Sequence, residues 1–247
     1  MELSKQNIRE REFHNKLQSS SKERFENVFY KALYNAGSDF FSIIKINCKE
    51  KIVLDFGCGI GDASRKVYDF NPKKITGIDI SEVSVKKASD EAKRLNLNID
   101  YKVDNCEDLK FENNSFDLVY GTGIIHHLST EKCVREISRV LKKNGVLVFL
   151  EPLGTNPIIN LYRRITPKAR SHDEHPLIKK DFEILKKNFN NLNIKYYGFL
   201  TLLFFLIYKE PSKSKVFKFL SLVDQSLFKL KVFQKFAWSV VISAEKN

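Results

Sequence analysis

Paired cysteines are missing from this sequence. Cys48, Cys58, Cys106 and Cys133 show no C-x-x-C and no zinc-type spacing, which leaves no disulfide framework and fits reduced thiols in the cytoplasm. The five histidines do not fall at ligand spacings either, so no metal site is expected. Long apolar runs are also lacking. The longest, GFLTLLFFLIY over 198–208, falls short of the roughly 20 residues of a spanning helix. The charged opening MELSKQNIREREFHNK has no apolar stretch of the secretory kind. Repeats and low-complexity linkers are absent, so a single domain over 1–247 is expected, in a cytoplasmic protein.

Acidic residues are in deficit: 30 Asp and Glu stand against 42 Lys and Arg, for a net charge of +12. The imbalance is local. Residues 161–235 carry 16 basic and 6 acidic side chains, or +10 of that +12. Such a stretch suits nucleic acid, an anionic membrane surface or an acidic small molecule, and equally a plain solvated basic surface.

Against these absences, one segment is rich in glycine. KIVLDFGCGIGDASRK, residues 51–66, runs from an apolar strand through Asp55 into Gly57, Gly59 and Gly61, then into helix-like sequence. Glycines crowd one turn where the backbone bends sharply or something comes very close. Further strands are expected at 75–80, 99–104, 116–120 and 146–150, with helices near 62–69, 82–95 and 130–143 between them. Ser81 is the expected cap of the second helix, and Gly145 the stop of the third. This alternation predicts a doubly wound α/β sheet. Residues 1–46 read as one or two preceding helices. Later, 177–189 reads as a helix and 193–206 as a long strand-like run. An amphipathic helical insertion at 214–235 follows, with Val216, Leu220, Val223, Leu227 and Leu230 on one side, and then a last strand in FAWSVVISAEKN.

A glycine turn between strand and helix receives nucleotide-like ligands, and Asp79 at the end of the second strand can accept both hydroxyls of a ribose. A dinucleotide fingerprint begun at Gly57 wants its third glycine at position 62, which is Asp62. S-adenosylmethionine has no phosphate, and its ammonium suits Asp55. The spacing favours the methyl donor.

In order and spacing, VLDFGCGIGDAS, GIDIS, NCEDLKFENNSFDLVYGTGIIHHL and EISRVLKKNGVLVFLEP resemble the class I S-adenosylmethionine-dependent methyltransferases of the small-molecule type, over roughly residues 50–152. The resemblance implies a Rossmann-like seven-stranded sheet with its last strand antiparallel. On it, 1–46 would be a helical cap, 50–152 the cofactor-binding core, 153–235 a substrate-side loop, helix and lid, and 236–247 the final strand. It places Gly57, Cys58, Gly59 and Gly61 around the methionine and ribose, Asp55 near the amino end, Asp79 with Ile80 at the ribose and adenine, and the backbone near Gly121 at the methionine. Asn105 and Cys106 stand where the family has an acidic and a small residue for the adenine, with Asp104 one place early.

Methyl transfer needs alignment and exclusion of water, and a base only where the acceptor loses a proton. His127, after the fourth strand, and His175 are the candidate bases, each with a plain structural reading beside it. The loop EPLGTNPIINLYRRITPKARSHDEHPL, residues 151–177, offers Tyr162, Arg164 and Arg170 to the acceptor, or arginines that merely pair with Asp173 and Glu174. The expected activity is methylation of a small or lipophilic acceptor, with membrane-surface contact through 198–235 left open. RNA methylation and cofactor binding without catalysis are the alternatives. Against RNA, the sequence lacks an aromatic–basic nucleic-acid motif and the N–P-P-aromatic signature, with GTGIIHHL in its place.

Overall fold

The computed structural model describes residues 3–19, 28–166, 171 and 173–247. Its centre is one seven-stranded sheet in the order β3-β2-β1-β4-β5-β7-β6. The strands are β1 Ile52–Phe56, β2 Lys74–Asp79, β3 Ile99–Val103, β4 Phe116–Thr122, β5 Leu141–Pro152, β6 Asn190–Tyr197 and β7 Ser239–Glu245. The first five pair in parallel, and β7 runs antiparallel between β5 and β6. The doubly wound sheet with one reversed strand is therefore as expected from the sequence.

Helix α1 (Lys5–Ser19) and helix α2 (Tyr34–Cys48) precede the sheet; α3 (Asp62–Tyr68), α4 (Glu82–Arg94) and α5 (Thr130–Val140) alternate with its strands. Then come α6 (Pro157–Ile165), α7 (Lys179–Asn188), α8 (Leu200–Leu203), α9 (Lys215–Leu227) and α10 (Lys231–Gln234). On one face of the sheet, Ala36, Phe40, Ile44 and Cys48 of α2 pack with Val67 of α3 on Val53, Leu118 and Val148. On the other, Val134, Ile137 and Val140 of α5 and Leu185 of α7 cover Leu54, Val119 and Leu147. These i, i+3, i+4 faces bury the apolar surface that holds the layers together. Ser81 caps α4 as expected, its Oγ accepting the Ser84 N–H at 3.1 Å.

Three local expectations are corrected. The third helix ends at Val140, not near 143, because Leu141 already pairs with Phe116 as β5 begins. Gly145 lies inside that strand, where the β4–β5 register shifts between Leu141 and Val146, and its carbonyl accepts the Lys246 N–H. The strand-like run 193–206 is a strand only to Tyr197. Gly198 turns at φ 80°, and the Asp224 carboxylate accepts the N–H groups of Phe199, Leu200 and Thr201, starting α8. Finally, the expected α9 stripe is only partly covered, with Leu220, Val223 and Leu227 half-buried. Asp224 must face α8 to cap it, so Phe217, Ser221 and Asp224 point inward while Val216 and Leu230 are exposed.

Candidate active site

The carboxyl ends of β1, β2 and β4 converge on the glycine turn. Gly57, Gly59 and Gly61 all have positive φ, at 75°, 51° and 82°, a region that side chains disfavour. Their surroundings differ. A Cβ on Gly57 would lie 2.5 Å from Ile124 Cγ1, and one on Gly61 would lie 2.9 Å from Tyr101 Cζ. Those two glycines make room for neighbouring side chains. At Gly59 nothing lies within 4 Å of that position. It is the one glycine of the turn that faces open space.

The half-buried Asp79 holds the turn in place. Its Oδ2 accepts the Gly59 N–H and its Oδ1 the Ser81 N–H, both at 2.9 Å. Burial pushes its carboxyl upward, against those two donors. Ile80 follows, partly buried. Asp55 is 1% exposed and accepts the Ser64 hydroxyl at 2.5 Å from beneath the turn. Burial raises its pKa to about 7 against the Ser64 bond, and the charge of Asp79 adds to the rise. Cys58 is buried, its N–H donating to the Ile78 carbonyl at 2.8 Å, and burial raises its thiol.

Asn105 and Cys106 are buried beside this corner. The Asn105 side-chain oxygen accepts the Glu107 N–H at 3.0 Å, while Asp104 accepts the N–H groups of Asn105 and Lys110. Asp104 and Asn105 thus build the turn itself. Gly121 is paired with Phe149 in the β4–β5 ladder, and a Cβ there would lie 2.6 Å from the Phe56 carbonyl.

After β4, the chain is fixed by Glu151. One oxygen of this buried carboxylate accepts the N–H groups of Ile124 and Ile125, and the other lies 2.8 Å from His126 Nδ1. His126 is thereby a supporting residue. His127, the next in the chain, faces helix α1: its Nδ1 lies 3.2 Å from Glu10 Oε2 and 3.2 Å from Ser171 Oγ. The buried imidazolium loses hydration, yet the Glu10 carboxylate outweighs this and lifts the His127 pKa above its ordinary value. Glu10 in turn sits below the usual carboxylate range, because His127 and Ser171 offset its burial.

Helix α1 is the part of the site that sequence reasoning missed. Its buried residues are polar, Asn7 and Glu10, the latter only 4% exposed. Gln6 donates to the His127 carbonyl at 3.0 Å, Arg9 grips Asp173 at 2.7 Å, and Asn15 accepts from Ser81 and donates to Glu82. The helix therefore bridges the ends of β2 and β4. The available signal was the i, i+4 pair Glu10 and His14 in REREFHNK, whose side chains lie 3.7 Å apart. Candidate ligand atoms of Glu10, His14 and His127 all lie within 4.8 Å of one another, a grouping that sequence spacing alone does not reveal.

On the acceptor side the expected residues are dispersed. The Tyr162 ring meets Phe29 edge-on at 5.6 Å. Arg164 is exposed on α6. His175 is exposed, its backbone N–H donating to the His126 carbonyl at 2.8 Å. Arg170 lies outside the described residues. Asp173 is bonded by Arg9 of α1 at 2.7 Å, while its expected pairing with Arg170 falls outside the described residues.

Residues 54–149 match the sequence profile described as a methyltransferase domain. A sterol 24-C-methyltransferase of Aspergillus fumigatus is 31% identical over 136 residues, covering 53% of this chain and 36% of that protein. A 2-methyl-6-phytyl-1,4-hydroquinone methyltransferase of Synechocystis sp. is 41% identical over 101 residues, covering 39% of this chain and 30% of that one. The chain thus spans about a third of the length of these curated relatives. In fold, a geranyl diphosphate C-methyltransferase of Streptomyces coelicolor superposes with a TM-score of 0.69 at 12% identity, over 99% of this chain and 98% of that chain. Residues 54–149 thus match the methyltransferase-domain family, and they contribute strands β2 to β4 and most of β1 and β5 of the seven-stranded sheet.

Proposed function

We propose that this chain transfers the methyl group of S-adenosylmethionine to a small lipophilic acceptor. The observation that carries the reading is Gly59, open on its outer side while its flanking glycines are filled and tied by its own N–H to Asp79. The turn of Gly57, Cys58, Gly59 and Gly61 would hold the methionine and ribose, Asp79 and Ile80 the ribose and adenine, Asn105 and Cys106 the adenine edge, and the Gly121 backbone the amino acid. Asp55 supports the turn from below through Ser64. The bound cofactor supplies a methyl carbon already activated by a positive sulfur.

The chain's own contribution is alignment and exclusion of water, and α1 lies where a roof is needed. Where the acceptor gives up a proton, His127 accepts it only in its neutral form, and Glu10 holds it protonated to higher pH. His175 is the second candidate base, and Tyr162, Arg164 and Arg170 are the acceptor-side groups. A lipophilic acceptor is favoured by the names of the relatives, which act on a sterol and on a phytyl-hydroquinone. It is also favoured by the exposed Ile158, Leu161 and Ile165 of α6.

The test is incubation of the purified chain with methyl-labelled S-adenosylmethionine and a cell extract, then separation into organic, polar, RNA and protein fractions. Label in the organic fraction, lost in Asp79→Ala, supports the reading. Label in RNA or protein, or no release of S-adenosylhomocysteine with any fraction, overturns it.

A further inference from the structure

The helical insertion between β6 and β7 leaves large apolar side chains on its outer side. Helix α9 turns Phe217, Ser221 and Asp224 inward, whereas Phe219 is 64% and Leu222 69% exposed. A helix made only to pack on a core puts its apolar side in and its polar side out. Here the inward side carries a carboxylate and a hydroxyl, and both have work: Asp224 caps α8, and Ser221 accepts from Asn35 at 2.6 Å. Phe219 and Leu222 point outward and are largely exposed, and Phe219 makes no ring contact among the described residues. The turn after α8 repeats the pattern, with Leu206 78% and Ile207 62% exposed. The two segments form one unit, because Tyr208 of that turn packs edge-on against Phe217 at 5.0 Å and donates its hydroxyl to the Thr201 carbonyl.

Charge names the occupant of this face. Residues 198–238 hold seven lysines, all exposed, and two acidic residues. Of the two, Asp224 of α9 is buried against the start of α8 and Glu210 is paired with Lys213 at 2.7 Å. Lys215 and Lys218 flank Phe219 on α9. A second copy of this chain docking face to face would set the same lysines against each other. A purely electrostatic partner such as nucleic acid would leave the apolar side chains in water. A bilayer surface with anionic headgroups takes both, apolar groups into the acyl boundary and ammonium groups among the phosphates.

We infer that the α8–α9 unit is an anionic-membrane docking face, with Leu206, Ile207, Phe219 and Leu222 as inserting residues and the surrounding lysines as headgroup contacts. No helix among the described residues is long and apolar enough to span, so the attachment is at the surface. The inference does not depend on the methyl-transfer reaction, and its test uses neither cofactor nor acceptor.

The full chain is floated with vesicles of phosphatidylcholine alone and of phosphatidylcholine with an equal share of phosphatidylglycerol. The expected result is flotation with the anionic vesicles, weakened but not abolished by salt, and little with the neutral ones. The double substitution Phe219→Ser with Leu222→Ser, and separately Leu206→Ser with Ile207→Ser, each weakens binding by about tenfold or more, equivalent to ~1.4 kcal/mol. Unchanged thermal unfolding shows that each variant still folds, as expected for exposed positions. Failure to float with anionic vesicles overturns the inference, and so does equal binding by both variants. Sedimentation showing a dimer that Phe219→Ser with Leu222→Ser dissociates also overturns it, by assigning the face to a second copy.

Discussion

Nδ1 of His127, at the end of β4, lies 3.2 Å from Oε2 of Glu10, on the first helix of the chain. This contact draws a polar helix over the ligand end of the sheet, and it titrates. The His127 pKa is raised, so its contribution is complete below the unfolded value of about 6.5 and is lost as pH rises through the folded value. The Glu10 pKa is lowered, so its contribution is complete above about 4.5 and is lost as pH falls through its folded value. Helix α1 should therefore be held best between about pH 4.5 and 6.5 and loosen above. Hydrogen exchange of the α1 amides across that range measures this, and Glu10→Gln should flatten the dependence. If His127 is the base, the same substitution moves the rising limb of the rate profile to lower pH.

Asp55, like His127, contributes stability that is lost as pH rises. Its folded pKa of about 7 exceeds the unfolded value of 3.8, so the native state keeps a proton that the unfolded chain has lost. Stability falls as pH rises from about 4 to 7 and then levels off. Asp55→Asn, which can still accept from Ser64, should remove that slope. Urea midpoints of both proteins at pH 5 and pH 8 measure it, and an unchanged slope in the variant would count against a buried neutral carboxyl.

The two ways of using glycine can be separated. Gly61→Ala forces a Cβ against Tyr101 in a left-handed turn and should cost about 1–3 kcal/mol of stability. Gly59→Ala meets no neighbour, so it should cost about 1–2 kcal/mol from backbone strain alone. Its larger effect should be on ligand affinity, with S-adenosylhomocysteine binding weakened by about tenfold or more in calorimetry. Equal affinity in Gly59→Ala would mean that the open side of the turn receives nothing.

Glu151 carries three hydrogen bonds at 0% side-chain exposure. Glu151→Ala leaves two backbone donors and His126 Nδ1 without their acceptor and should destabilise by about 3 kcal/mol or more. Glu151→Gln retains one acceptor oxygen and should recover part of the loss in thermal unfolding.

The central sheet was legible because β1, β2 and β4 are short, largely apolar runs closed by turn chemistry within a few residues, while β3 shows only the alternation of Ile99, Tyr101 and Val103 with polar residues. The capping of α4 by Ser81 is equally local. What escaped reading depends on partners far along the chain. The break after Tyr197 is made by Asp224, the early end of α5 by the pairing of Leu141 with Phe116, and the partial exposure of the α9 stripe by the demands of α8. The same holds at the site. Gly59 and Asp79 stand out in sequence, but nothing local announces that Glu10 will meet His127 or that Arg9 will take Asp173.

The position of β7 has a consequence for the order of synthesis. Within the sheet, β6 pairs only with β7, and β7 is what joins it to β5. While residues 239–245 are still inside the ribosome, β1 to β5 can assemble, but β6 has an open edge on both sides. Strand β6 must wait without a ladder partner, held by side-chain contacts such as Tyr197 with Asp39, until β7 emerges and joins it to the sheet.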